Sequence, residues 1–305
     1  MLPKMPSNLE TFSELLLIAK GQDFFLIGKK RALIGGGMNS EKVSYRKIMI
    51  DGVLLLWFLL TLGSLIFVLW DQFTNTPSMR VMTLAWALVI LYTGPLGLFL
   101  YFVSCRQPMP NTHDQFIDVH WKQATGSLIH CVAGDATAII LMAAILHFFD
   151  VPNGIEVILE YIAAYLFGLF IFQALFMRTM FPAYWLAVKK TIFAETVSMN
   201  MVMTGMFPII VWIKYHYPIA SDPFKPYFWG TMSLATIVGF LIAYPINSWM
   251  VRKMIKHGMM SKGMTMDHQP PTLPMGQMWA WVIGTYLIFF AVMAFTGLFI
   301  PIRFS

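Results

Sequence analysis

Apolar residues run in seven long blocks along this chain, at roughly 50–70, 81–104, 127–149, 156–177, 197–215, 227–250 and 278–301, with short polar breaks between them. A block of about 18 or more apolar residues is long enough to cross the hydrocarbon core of a bilayer as a helix. Inside lipid every backbone amide must be bonded within its own segment, so the blocks predict helices rather than open strands. The pattern therefore predicts an all-α fold, a polytopic membrane helix bundle of about seven transmembrane helices over 49–305. Residues 1–48 hold only short apolar runs, Leu15-Leu16-Leu17 and Phe24-Phe25-Leu26-Ile27, among basic residues. They read as an amphipathic cytoplasmic segment lying on the inner surface, with no cleavable signal peptide.

Charge orients the bundle. Residues 1–48 and the second, fourth and sixth connections hold 17 Lys and Arg, against four on the opposite side: Arg80, Lys214, Lys225 and Arg303. The positive-inside rule then places the N-terminus in the cytoplasm and the C-terminus outside, in an inner (plasma) membrane. The same asymmetry accounts for the net charge of +6 without nucleic acid. Only 12% of residues are charged, about half the share of a soluble chain, which leaves no room for a separate soluble domain. The two cysteines, Cys105 and Cys131, fall near the cytoplasmic side, where a disulfide is not expected.

Some helices carry breakers: Gly94-Pro95 in the second block, Gly205 and Pro208 in the fifth, Pro245 in the sixth. A proline frees a carbonyl and kinks a helix, and in a bundle that is either structural or the mark of a broken helix lining a cavity.

Chemistry inside the blocks is concentrated. The third begins SLIHCVAGDATAII, with His130, Cys131 and Asp135 in its first turns. Cys131 and Asp135 are four apart and share a helix face. A carboxylate in hydrocarbon is costly unless paired or wet, so Asp135 should face the bundle interior. Gly134 and Ala138 form a small-xxx-small pair that lets a neighbour approach. The fifth block opens AETVSMNMVMTGMFP, in which Glu195, Met199, Met203 and Met206 make one helix stripe. Soft thioethers and thiolates select Cu(I) over harder ions, whereas methionine is also a common gap-filler. A Met/His-rich cytoplasmic loop, 251–277, adds His257 and His268. Asp51, Gln173, Met177 and Asn247 are expected at the same depth as the two motifs.

The segments LYTGPLGLFLYFVSCRQP, SLIHCVAGDATAIIL, IFQALFMRTMFPAYWLAVKKTIFAETVSMNMVMTGMFP and YPINSWMVRKMIKHGM resemble a prokaryotic membrane family, the domain of unknown function 4396, over about 80–258. The resemblance implies a polytopic inner-membrane domain and no particular activity. Many members hold a second cysteine after the His-Cys pair. Here Gly134 and Asp135 stand in that region, which weakens a dithiolate site.

These residues suggest a multi-pass protein that binds or moves a soft metal ion, with copper the ion that suits the donors. His130, Cys131, Met199, Met203, His257 and His268 are the candidate metal ligands. Asp135 and Glu195 are the candidate charge or proton partners. The alternative is an accessory or assembly subunit of a larger membrane complex with no site of its own. A transporter should show a polar path between its helices, and a scaffold a dry core. No nucleophile–base pair, P-loop or dinucleotide fingerprint is present, so an enzyme is not expected. The expected partners are the lipid bilayer and other membrane subunits or copies of the chain, not nucleic acid.

Overall fold

The computed structural model describes Tyr45 and residues 48–174, 183–259 and 273–305. The chain divides into two compact units, Met1–Val53 and Leu54–Ser305. The expected N-terminal segment, 1–48, lies outside the described residues except for Tyr45 and Ile48, both helical and exposed. The fold below is that of the second unit, together with the helix that leads into it.

Among the described residues, six helices are long and apolar enough to cross a membrane: α1 (Ile48–Thr74), α5 (His120–Leu146), α6 (Asn153–Gln173), α7 (Tyr184–His216), α8 (Pro226–Arg252) and α9 (Met275–Phe299). Two shorter apolar helices, α2 (Arg80–Thr93) and α3 (Pro95–Ser104), and a single turn, α4 (His113–Ile117), lie between α1 and α5. The described residues contain no strand. The all-helical membrane bundle is as the apolar pattern predicts.

The second block does not cross. Its two halves meet at Gly94, which has φ +56°, with Pro95 opening the second half. Trp86 and Tyr101 lie on opposite halves, yet their ring centroids are 5.3 Å apart. Fifteen residues of straight helix would separate them by about 22 Å. The halves therefore fold back on each other. A Cβ on Gly94 would fall 2.4 Å from Thr61 Oγ1, so the hairpin tip presses on the middle of α1. Both hairpin ends return to the last turn of α1. There Asp71, fully buried, accepts hydrogen bonds from Tyr101 Oη (2.6 Å), Arg106 Nε (2.9 Å) and Thr76 Oγ1 (2.8 Å). A 14-residue helix spans about 21 Å, too short for a hydrocarbon core of about 30 Å. This is a re-entrant hairpin, allowed at membrane depth because its irregular backbone is buried in protein.

The correction changes the topology. With six crossings instead of seven, α1 from Leu54 onward starts on the face where the chain ends. That face carries the 147–152 and 217–225 connections and the C-terminus, tied by Asn153 Nδ2 to the Pro301 carbonyl (3.0 Å). The opposite face carries both ends of the hairpin and residues 253–259. Among the described residues from Leu54 on, Arg80, Arg106, Lys122, Lys189, Lys190, Arg252, Lys253 and Lys256 belong to that face, and Lys214, Lys225 and Arg303 to the other. Among these described residues the bias is eight to three, which by the positive-inside rule marks the eight-residue side as the inner face; the eight Lys and Arg of residues 1–48 lie outside the described residues.

α5 and α7 form the centre, each 72% buried over its most apolar window, against 17% for α1 and α9. Two glycine crossings set the packing. A Cβ on Gly134 of α5 would lie 3.3 Å from Gly168 Cα of α6, and one on Gly205 of α7 would lie 2.7 Å from Gly239 Cα of α8. Such contacts let helix backbones nearly touch, which is how helices associate where lipid removes the hydrophobic drive. Gly205, Pro208 and Pro245 thus break nothing: α7 and α8 run unbroken through them. The fifth apolar block, expected from about 197, extends back to Tyr184 as the first turns of α7.

A re-entrant hairpin puts residues 80 and 111 in one compartment, whereas a crossing would separate them. In a chain whose native cysteines are both buried, Arg80→Cys and Asn111→Cys should react with an impermeant maleimide added to the same side of the membrane. Labelling from opposite sides would restore the seventh crossing.

Candidate functional site

Within the inner half of the bundle, α5, α6, α7, α8 and the returning segment 253–259 bring six polar groups together. Cys131 and Asp135 share one face of α5, and Glu195 and Ser198 are three apart on α7. Asn247 stands one turn above the inner end of α8. The sixth group comes from outside the helices. After Arg252 the chain turns at Met254, which has φ +57°, a left-handed conformation that costs a non-glycine residue about 1–2 kcal/mol. The turn sends Lys256 back into the bundle, where it is 4% exposed. Its Nζ donates to Cys131 Sγ (2.7 Å), Ser198 Oγ (3.1 Å) and Asn247 Oδ1 (2.5 Å). Ser198 Oγ also donates to Asn247 Oδ1 (3.0 Å), and Cys131 Sγ to Glu195 Oε2 (3.4 Å).

The acids face each other across α6. A Cβ on Gly168 would lie 2.6 Å from Asp135 Oδ1 and 2.6 Å from Glu195 Oε1. Only glycine leaves room for both carboxylates at that spot. Residues 167–173 form a π-helix, a local widening often found at functional sites. Asp135 is fully buried and Glu195 is 1% exposed. Among the described residues, neither oxygen of Asp135 nor Oε1 of Glu195 receives a hydrogen bond. One ammonium thus faces two carboxylates in a medium that tolerates charge only when it is paired. The balance leaves one carboxylate a place for a proton, and that proton would join the two acids by the hydrogen bond that the protein does not supply.

His130 lies beside this group. With Gln173, Lys256 and His257 it lines a cavity of about 10 Å³, room for about one water. His257 sits outside the helices, and burial, aided by the Lys256 charge, pushes its pKa down to about 4. It is therefore neutral at physiological pH.

Toward the outer face the polar line continues between α6, α7 and α9. Tyr165 Oη and Thr196 Oγ1 are 3.1 Å apart. Tyr161 Oη donates to Asn200 Oδ1 (2.7 Å) and lies 3.0 Å from Tyr286 Oη, while Asn200 Nδ2 donates to Thr285 Oγ1 (3.1 Å).

The sequence-derived ligands are not brought into one coordination sphere. Met199 and Met203 are fully buried within the hydrophobic core, while Cys131 is engaged by an ammonium and a carboxylic group. Among the described residues no three of His, Cys, Asp and Glu are arranged to hold a metal ion. His268 and Met177 lie outside the described residues, and Asp51 is exposed. Cys131, Asp135, Glu195 and Asn247 do meet, with Gln173 beside them at the His130 cavity. Lys256, Ser198 and Gly168 were not legible as site residues. Lys256 reads as one more loop charge, and no local pattern marks it as buried.

Residues 120–256 match the model of a family described as a domain of unknown function (DUF4396). That stretch runs from the start of α5 to Lys256, so it contains every residue of the polar group. No curated protein and no solved structure matches the chain.

Lys256 Nζ donates three buried hydrogen bonds, and a hydrogen bond to a charged group is worth about 1.5–3 kcal/mol. Lys256→Met should therefore destabilise the protein by about 3 kcal/mol in denaturant titrations of detergent-purified protein. Glu195→Gln added to that variant should recover part of the loss by removing the uncompensated charge. Wild-type stability in the single variant would mean that Lys256 does not pair in the interior.

Proposed function

We propose that this chain, which belongs to the DUF4396 family, moves protons through the membrane, with Asp135 and Glu195 as the acids that carry them. The observation behind this reading is the pair itself: two buried carboxylates beside Gly168, near one lysine, with three of their four oxygens left without a hydrogen-bond donor among the described residues. An ionisable group held inside the membrane marks a pathway for protons or ions far more often than it serves packing. The cavity beside it has room for about one water, which suits a proton better than a solvated ion.

The donors around Cys131 support a proton path better than a copper site. A soft-metal site needs several thiolate, thioether or imidazole donors on one centre. Met199 and Met203 instead pack in the apolar core. The accessory-subunit reading predicts a dry interior, and the polar line through Thr196, Asn200 and their tyrosine partners speaks for a pathway instead. On this reading the chain is a transporter rather than an enzyme.

Purified protein in liposomes loaded with a pH-sensitive dye should take up protons when a potassium gradient and valinomycin impose a voltage. Asp135→Asn and Glu195→Gln should each lower the initial rate at least tenfold. Equal rates for wild type, both variants and protein-free liposomes would overturn the proposal.

A further inference from the structure

A second charged group lies in the other half of the bundle, where α6 begins and α7 ends. Glu160 of α6 is 1% exposed. The charged groups facing it are Lys214 of α7, with Nζ 3.6 Å from Glu160 Oε1, and Glu156 one turn away on its own helix. Lys214 forms its closer ion pair with Glu156. Neither oxygen of Glu160 has a hydrogen-bond partner among the described residues. Beside it is a cavity of about 170 Å³, lined by Asn153, Glu156, Glu160, Lys214, Tyr215 and Ser221. This volume holds several waters, and its lining includes Ser221 from the outer 217–225 connection.

The charge arithmetic repeats that of the inner site: two carboxylates, one ammonium, one acid left over. Glu160 is the acid left over, because Lys214 is taken up by Glu156. The next residue in the chain, Tyr161, donates to Asn200, and one turn further along α6 Tyr165 pairs with Thr196, which adjoins Glu195 in the chain; these are two separate bonded pairs lying between the two charged groups.

We propose that Glu160 is the outer proton station of the pathway. It exchanges protons with the outer face through the 170 Å³ cavity and with Glu195 past the Tyr161–Asn200 and Tyr165–Thr196 pairs. The inference rests on the proton-path reading and adds to it the acid that connects the inner pair to the outside. No atom but the proton moves: the Glu160 carboxyl gives one up on one side and regains one from the other.

The test is proton uptake by reconstituted Glu160→Gln and Glu160→Asp, beside Asp135→Asn. Glu160→Gln keeps the volume and leaves Lys214 paired with Glu156, so its unfolding midpoint should stay within a few degrees of wild type. Its uptake rate should fall at least tenfold, while Glu160→Asp, which keeps a titrating carboxyl, should hold at least a third of the wild-type rate. Modification by a hydrophobic carbodiimide, read by peptide mass spectrometry, should label Glu160 in the wild-type protein and leave Asp135 labelling unchanged in Glu160→Gln. Wild-type uptake by Glu160→Gln together with loss in Asp135→Asn would overturn the outer station and leave the inner pair standing. Glu160→Asp as silent as Glu160→Gln would also overturn it, because the position would then serve geometry. Wild-type uptake in all three variants would overturn the proton path itself.

Discussion

Charge can persist inside a bilayer only where it is balanced, and here Lys256 supplies the balance. Its ammonium, delivered by a left-handed turn at Met254, reaches the thiol of Cys131, the hydroxyl of Ser198 and the amide oxygen of Asn247. Without a cation at that place, Asp135 and Glu195 would both have to be neutral to stay where they are. The fold of the inner half follows from this constraint. α5, α7 and α8 each turn a polar residue toward one point, and the 253–259 segment closes over it, with Met259 against Gly126.

Glycine supplies the complementary constraint, which is space. At Gly134–Gly168 and Gly205–Gly239 the backbones come within van der Waals contact of where a Cβ would stand, with Phe172 and Met206 packed alongside. In water, burial of large apolar side chains would hold such helices together. In lipid that drive is absent, and close backbone contact with internal hydrogen bonding takes its place. Gly168 serves both ends: it admits α5 and leaves the space into which both carboxylates project. A methyl group there would have to displace one acid, so packing and chemistry are linked through a single hydrogen atom.

The two charged groups, one in each half of the bundle, differ in their surroundings. The inner one has room for about one water, and its lysine donates to three acceptors. The outer one borders a cavity large enough for water. Between them Met203, Met206 and Phe207 pack tightly, and the polar residues pass along one side of this apolar belt.

Hydropathy alone determined that the chain is a helical membrane bundle, because runs of apolar residues have no other stable use at that length. It also marked Asp135 and Glu195, since a carboxylate within an apolar block stands out by its cost, and the same rule applied to Glu160 would have marked it too. Cys131 and Asp135 were placed on one face by helical spacing. The tertiary structure decided the rest. Periodicity cannot distinguish a kinked span from a hairpin folded at Gly94, because both halves are equally apolar; the return of Tyr101 and Arg106 to Asp71 settles it. Nor can composition tell a core methionine from a ligand, since the thioether serves both, and only its neighbours separate them. Lys256 is the clearest case. In sequence it is one of several basic residues after α8, and what makes it the centre of the site is a turn whose energy is recovered only when α5, α7 and α8 are already in place.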